Sequence, residues 1–217
     1  MPFGYLGTTP NQQLKNSGVF SVEEALQVQK DGEWGGSLQL IEEQTADGSS
    51  ATVDFTSIKE SKYDVHFLTY NNVGGTGADY DSIYIRLFEG GVIESASVYQ
   101  RAVQRNRANG STNEYKSTSA SSMMMHYGGV SNGNYEKINA YAYFYNLGNS
   151  SKYSFMTNQS VCVPSASESN VFSMVFGGAV LPQTSVVDGI RIFNNQATGS
   201  SNIKTGSNFK LFGVKQI

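Results

Sequence analysis

A single cysteine, Cys162, among 217 residues excludes an intramolecular disulfide framework and any zinc site built from several cysteines. Charge is equally scarce. Only 15% of the residues are Asp, Glu, Lys or Arg, against about 25% in an average soluble domain. Lys and Arg number 15 against 18 Asp and Glu, giving a net charge of -3, so the chain lacks the basic face with which a dedicated nucleic-acid binder displaces counterions from phosphate. No apolar run approaches the ~18 residues of a membrane helix. The opening Met1-Pro2-Phe3-Gly4 has neither the basic nor the apolar region of a secretory signal. The sequence reading is therefore no membrane insertion, no nucleic acid, and synthesis in the cytoplasm without a secretion signal.

What is present is uncharged polarity. Gly numbers 23 and Pro only 4, and Ser, Asn and Gly cluster between short apolar runs, as in a β protein with many turns. Hydrophobic residues make up 39% of the chain, enough for one sizeable core or two small ones. From Ser37 onward, β-type runs recur at 38–43, 51–55, 63–71, 82–88, 95–101, 114–117, 138–147, 153–163, 171–180, 187–193 and 209–214. The run INAYAYFYNL at 138–147 places Ile138, Ala140, Ala142 and Phe144 on one face and Tyr141, Tyr143 and Tyr145 on the other. Small residues admit a second sheet about 10 Å away, and the phenol row faces water or a partner. The expected fold is all-β, an antiparallel β-sandwich of the jelly-roll kind.

One stretch reads as a helix. In GVFSVEEALQVQKDGEW at 18–34, Ser21 and Glu24 have capping-box spacing. Glu23 and Glu24 complement the N-terminal dipole, and Gly32 follows Lys30 as a terminator. Val22, Ala25, Leu26 and Gln29 share its stripe. Upstream, Phe3, Tyr5 and Leu6 stand between turn formers without helical or strand period, and such an arm does not fold alone. The division expected is an N-terminal arm and short helix at 1–36, with Phe3, Tyr5, Leu6, Val22, Leu26 and Trp34 as anchoring candidates, followed by a sandwich domain at 37–217.

Chemistry-bearing patterns are sparse. Neither His66 nor His126 belongs to a metal-spaced pair, and no G-x-S-x-G elbow supplies a nucleophile. Asp64 and His66 are read as sharing a strand face. Glu42 with Glu43, or Asp79 with Asp81, invite a glycosidase reading, since that reaction needs two facing acids; neighbours in a strand point apart. Asp79 and Asp81 lie in a Gly-rich loop that is also a weak calcium candidate. GGTG at 74–77 lacks the lysine and helix of a phosphate loop. No catalytic, cofactor or metal residue is assigned. The interface or ligand candidates are the basic cluster Arg101, Arg105 and Arg107 at the end of the 95–101 run, read as a subunit contact or solvated loop ahead of a small anion or sugar site, the aromatic row Tyr141, Tyr143 and Tyr145, and Met123, Met124, Met125 and Tyr127, read as an exposed turn of adaptable side chains. The rings also suit sugar stacking, which makes a glycan a candidate partner, and equally suit a β core or a subunit interface.

Three stretches carry a resemblance. NSGVFSVEEALQVQKDGEWGGSLQLIEEQTADGSSATVDFTSIKESKYDVHFLTYNNV at 16–73, GYLGTTPNQ at 4–12 and DGIRIFNNQATGSSNIKTGSNFKLFGVK at 188–215 resemble structural virion proteins of tailed bacteriophages, particularly those of marine bacteria. The resemblance implies a surface-displayed, non-enzymatic β-sandwich module made in the bacterial host cytoplasm. Such a module is a tail-associated fibre or adhesion component or, alternatively, a head decoration gripping the capsid lattice through its arm. It also implies other virion proteins as partners and a homo-oligomer, a trimer among the options. A carbohydrate-active jelly-roll enzyme is the third reading.

Overall fold

The computed structural model describes residue 23, which is helical, and residues 37–77, 81–130, 132–133, 135–164, 171–196 and 201–215. Apart from Glu23, the helix expected at 18–34 and the anchoring candidates Phe3, Tyr5, Leu6, Val22, Leu26 and Trp34 lie outside the described residues, as does Asp79.

Thirteen strands are described: β1 (Leu38–Thr45), β2 (Thr52–Phe55), β3 (Val65–Val73), β4 (Asp81–Glu89), β5 (Val92–Ile93), β6 (Tyr99–Arg107), β7 (Thr112–Ala120), β8 (Met123–Val130), β9 (Ile138–Tyr145), β10 (Ser154–Cys162), β11 (Ser173–Leu181), β12 (Val187–Gln196) and β13 (Asn208–Val214). They form two antiparallel sheets, ordered β1-β13-β3-β9-β10-β11-β6-β7 and β2-β12-β4, with β5 and β8 both pairing β4. The pairs β1 with β13, β2 with β12, β3 with β9 and β4 with β8 are nested, one inside the next. They are the rungs of one long hairpin, rolled up so that alternate rungs fall in opposite sheets. The contacts β13 to β3 and β12 to β4 close the roll. This is the jelly-roll order that the sequence favoured.

The core lies between the sheets. Phe55, Ile83, Ile85, Leu87, Ile190 and Ile192 from the smaller sheet meet Leu68, Tyr70, Ala142, Phe144, Phe209 and Leu211 from the larger. Strict alternation of buried and open positions on β10 and β13 produces this division. Burial drives the fold: removing a phenylalanine-sized side chain from water contributes about 1.5–3 kcal/mol. The tight β4 to β5 connection needs positive φ at both central residues, and Gly90 and Gly91 supply +61° and +75°.

Two hairpins are added to the roll. β6–β7 is inserted between β4 and β8, and β10–β11 between β9 and β12; both extend the larger sheet beyond β9. The extended sheet curls around β8. Tyr84 of β4, Val103 of β6, Met124 of β8 and Val175 of β11 form a second apolar cluster, with Tyr115 and Phe193 against it. The Tyr99 phenol secures the curl by accepting from the Leu87 amide and donating to the Glu94 carbonyl, each at 3.1 Å.

This curl corrects three sequence readings. Met123, Met124 and Met125 are fully buried strand residues rather than an exposed turn. β8 is covered on both faces, and its pairing with β4 shifts register twice, so three successive side chains find apolar neighbours. Flexible thioethers suit such an irregular gap. Strand β6 runs on past Arg101 through Arg105 and Arg107, where a solvated loop was expected, and Arg105 is completely buried. Likewise His126 is a buried strand residue.

Candidate functional site

The roll and its insertions give the larger sheet an outer face wider than either half of a simple jelly roll. The register aligns its outward residues in rows. One row runs Leu40, Phe212, Phe67, Tyr143 and Thr157 across β1, β13, β3, β9 and β10. The next runs Leu38, Val214, Val65, Tyr145, Phe155 and Val180. A third runs Lys210, Thr69, Tyr141, Gln159 and Phe176. Among the described residues, no charged side chain stands on this face from β3 through β6. Charge appears at its two ends, as the pairs Lys210–Glu43 at 3.2 Å and Lys116–Glu114 at 2.9 Å.

The rings form a continuous cluster. Phe67 lies 4.6 Å from Tyr143, 6.1 Å from Tyr141 and 6.1 Å from Phe212, centroid to centroid. Tyr143 is 6.2 Å from Tyr141 and 6.5 Å from Tyr145. The Tyr141 hydroxyl donates to Gln159 Oε1 at 2.8 Å, which fixes its ring on the face. Despite these contacts much of the surface is open: Leu40 is 53% exposed, Leu38 45%, Phe155 44% and Tyr141 39%. The row Tyr141, Tyr143 and Tyr145 read from the sequence is therefore the centre of a larger patch. Its partners Leu38, Leu40, Phe67, Phe155 and Phe212 were missed, although the alternation around β1, β3 and β13 carries their facing.

The remaining sequence candidates lie off this face, the methionines and Arg105 in the interior. The Arg101 guanidinium stands 5.5 Å over the Tyr84 ring. Arg105 Nε donates to Ser173 Oγ at 2.8 Å, and its positive charge near Tyr115 partly offsets the rise that burial gives that phenol's pKa. Tyr127, 37% exposed, stacks on Tyr115 at 4.1 Å. The basic cluster is thus consumed by cation–ring and hydrogen-bond contacts beneath the β6–β7 hairpin. Asp64 and His66 do not share a face: Asp64 precedes β3 and is exposed, whereas His66 is buried with Nε2 2.8 Å from the Ile58 carbonyl oxygen.

A buried polar layer ties β8 to β10. Asn158 Nδ2 and Ser160 Oγ both donate to the Met125 carbonyl at 3.0 Å. His126 Nδ1 lies 2.8 Å from Ser160 Oγ, and its Nε2 lies 3.1 Å from Cys162 Sγ. Cysteine beside histidine suggests nucleophilic chemistry, but the environment opposes it. Burial, then the nearby Arg105 charge, pushes the His126 pKa down to about 3, against a weaker rise from a backbone hydrogen bond at Gly128. A neutral imidazole supplies none of the positive charge that activates a thiolate. The layer is a latch between the sheets.

Among the described residues no group of three or more His, Cys, Asp or Glu side chains could hold a metal ion. The fold and this surface together define a jelly-roll sandwich whose larger sheet carries a broad, uncharged, aromatic outer face. Among solved structures, the chain is similar at 10% identity to the CBM2 module of the evolved Dit protein of Lactobacillus casei BL23 phage J-1. That alignment covers 85% of this chain and 80% of the other, with a TM-score of 0.22. A likeness of that size does not establish a shared fold. No family model matches the chain, and no curated protein matches it.

Proposed function

We propose that the chain is a non-enzymatic structural module of a bacteriophage virion, displayed at the particle surface as a tail-associated fibre or adhesion component. The observation that carries the reading is the outer face of the larger sheet: tyrosine, phenylalanine and leucine without charge, bounded by ion pairs. Depletion of charge with enrichment of aromatic residues is the composition of a contact surface rather than of a solvated one. The resemblance at 4–12, 16–73 and 188–215 to structural virion proteins gives that surface its setting. Scarce charge and an abundance of Gly suit a module that works by contact.

Competition tests the reading. Purified chain added to host cells before infection should slow adsorption of the phage, with the effect saturating as receptor sites fill. Unchanged adsorption together with binding of the chain to phage heads would instead favour the head-decoration reading.

A further inference from the structure

We infer that the uncharged outer face of the larger sheet docks on the same face of a second copy of this chain. The inference rests on reading that face as a contact surface and names the partner. Three observations converge on a copy rather than a glycan or an unrelated protein.

The first is extent. Seven strands, from β1 to β6, contribute outward residues to the face. At a strand spacing of ~4.8 Å and with three outward residues per strand at ~6.7 Å steps, the seven strands would cover roughly 700 Å² laid flat, and the five ahead of the curl, β1, β13, β3, β9 and β10, cover roughly 480 Å². A specific interface needs about 1,000 Å² in total, or about 500 Å² per partner. The match is far better than for a sugar chain, which occupies a strip.

The second is chemistry. Leu38, Leu40, Val65 and Val180 extend the aromatic cluster with aliphatic groups that offer a sugar neither a flat ring nor a hydrogen bond. Leu38 and Leu40, respectively 45% and 53% exposed, stand on the edge strand, where such side chains call for a cover. The Tyr141 hydroxyl already gives its proton to Gln159 Oε1 and can only accept from a ligand.

The third is charge. A surface that meets its own copy must avoid bringing like charges together, because every charge is present twice in an isologous contact. The centre of the face meets that condition, with no charged side chain among its described residues from β3 through β6. Each end carries one acid and one base, Glu43 with Lys210 and Glu114 with Lys116, the polar rim of an interface. Sheet-on-sheet packing would place the two faces about 10 Å apart, the spacing of a sandwich interior.

Sedimentation velocity on the full chain, from micromolar to tens of micromolar, tests the inference alongside Leu40→Lys, Phe155→Lys and Val92→Lys. Leu40 and Phe155 are exposed on the face, whereas Val92, 69% exposed, belongs to β5 of the smaller sheet. The wild-type chain and Val92→Lys should sediment as dimers. Leu40→Lys and Phe155→Lys should each weaken association by at least about tenfold, since each substitution brings two lysines, one from each copy, into an apolar contact. If one of them loses its thermal unfolding transition, the other gives the same reading.

A wild-type chain that stays monomeric throughout overturns the inference, as does a dimer indifferent to both face variants. The contact-surface reading fails separately. If the monomer is retained on immobilised host polysaccharide and Phe155→Lys abolishes retention, the face is a contact surface whose occupant is a glycan. If the monomer shows no such retention, and Phe155→Lys competes for adsorption as well as wild type, both readings fall.

Discussion

The latch between β8 and β10 makes stability fall with acid through a single imidazole. His126 is wholly buried and its pKa is pushed from 6.5 to about 3. In the unfolded chain the same group titrates near 6.5. As pH falls below 6.5 the unfolded chain takes up a proton that the folded chain refuses, so acid favours unfolding until pH nears 3. Between neutrality and pH 5 the gap amounts to ~1.5 pH units at ~1.4 kcal/mol each, or about 2 kcal/mol. That is a large share of a net stability of about 5–15 kcal/mol. His66, pushed down mainly by burial, adds in the same direction. Urea unfolding followed by circular dichroism at pH 7.5 and pH 5 measures the loss. His126→Gln removes the titrating group, so its stability should vary less with pH by about 2 kcal/mol over that interval, whatever the substitution costs at neutral pH. Equal pH dependence in wild type and His126→Gln would refute the reasoning.

Other perturbations follow from the same packing. Gly177, at φ +154°, has no room for a Cβ, which would meet the Ala102 carbonyl oxygen at 2.3 Å and Val103 Cα at 2.7 Å. Gly177→Ala should therefore part β11 from β6 at a cost of about 2–3 kcal/mol, lowering the melting temperature by roughly 5–10 °C in calorimetry. Phe55→Ala, at a fully buried position, should cost about 3–5 kcal/mol in denaturant titration. Cys162, 5% exposed and beside His126, should resist a thiol reagent in the folded chain and react at the rate of unfolding as urea is added. Lys137 has its pKa lowered to about 8 by burial and then by Lys204, against a pull from Glu136. The folded chain sheds that proton before the unfolded one does, so the stability Lys137→Met gains over wild type should shrink from pH 8 to pH 10, as thermal melts would show.

Much of the fold is legible in the sequence because alternation survives wherever a strand has one wet face. Ile138 to Tyr145 reads correctly for that reason: Ala142 and Phe144 enter the core and the tyrosines remain outside. Alternation fails where the sheet curls. Met123 to Met125 are buried consecutively because β6 and β11 cover the second face of β8, a fact set by strands distant in the chain. Arg105 reads as a surface charge, since nothing local announces that Ser173 and Tyr115 will receive it inside. The aromatic outer face was legible in only one of its strands. Phe67 lies 76 residues before Tyr143 and Phe212 lies 69 after it, and only the strand register brings the three rings together. The jelly-roll order follows from nested pairing over nearly the whole chain, which composition and turn spacing suggest but do not specify.

The central claim is that this chain is a surface component of the virion, and immunogold labelling of intact phage particles tests it most directly. Antibody raised against the purified 217-residue chain should place gold on the tail. Gold spread over the head would move the module to the capsid as a decoration. Absence of label from intact, accessible particles would contradict the account.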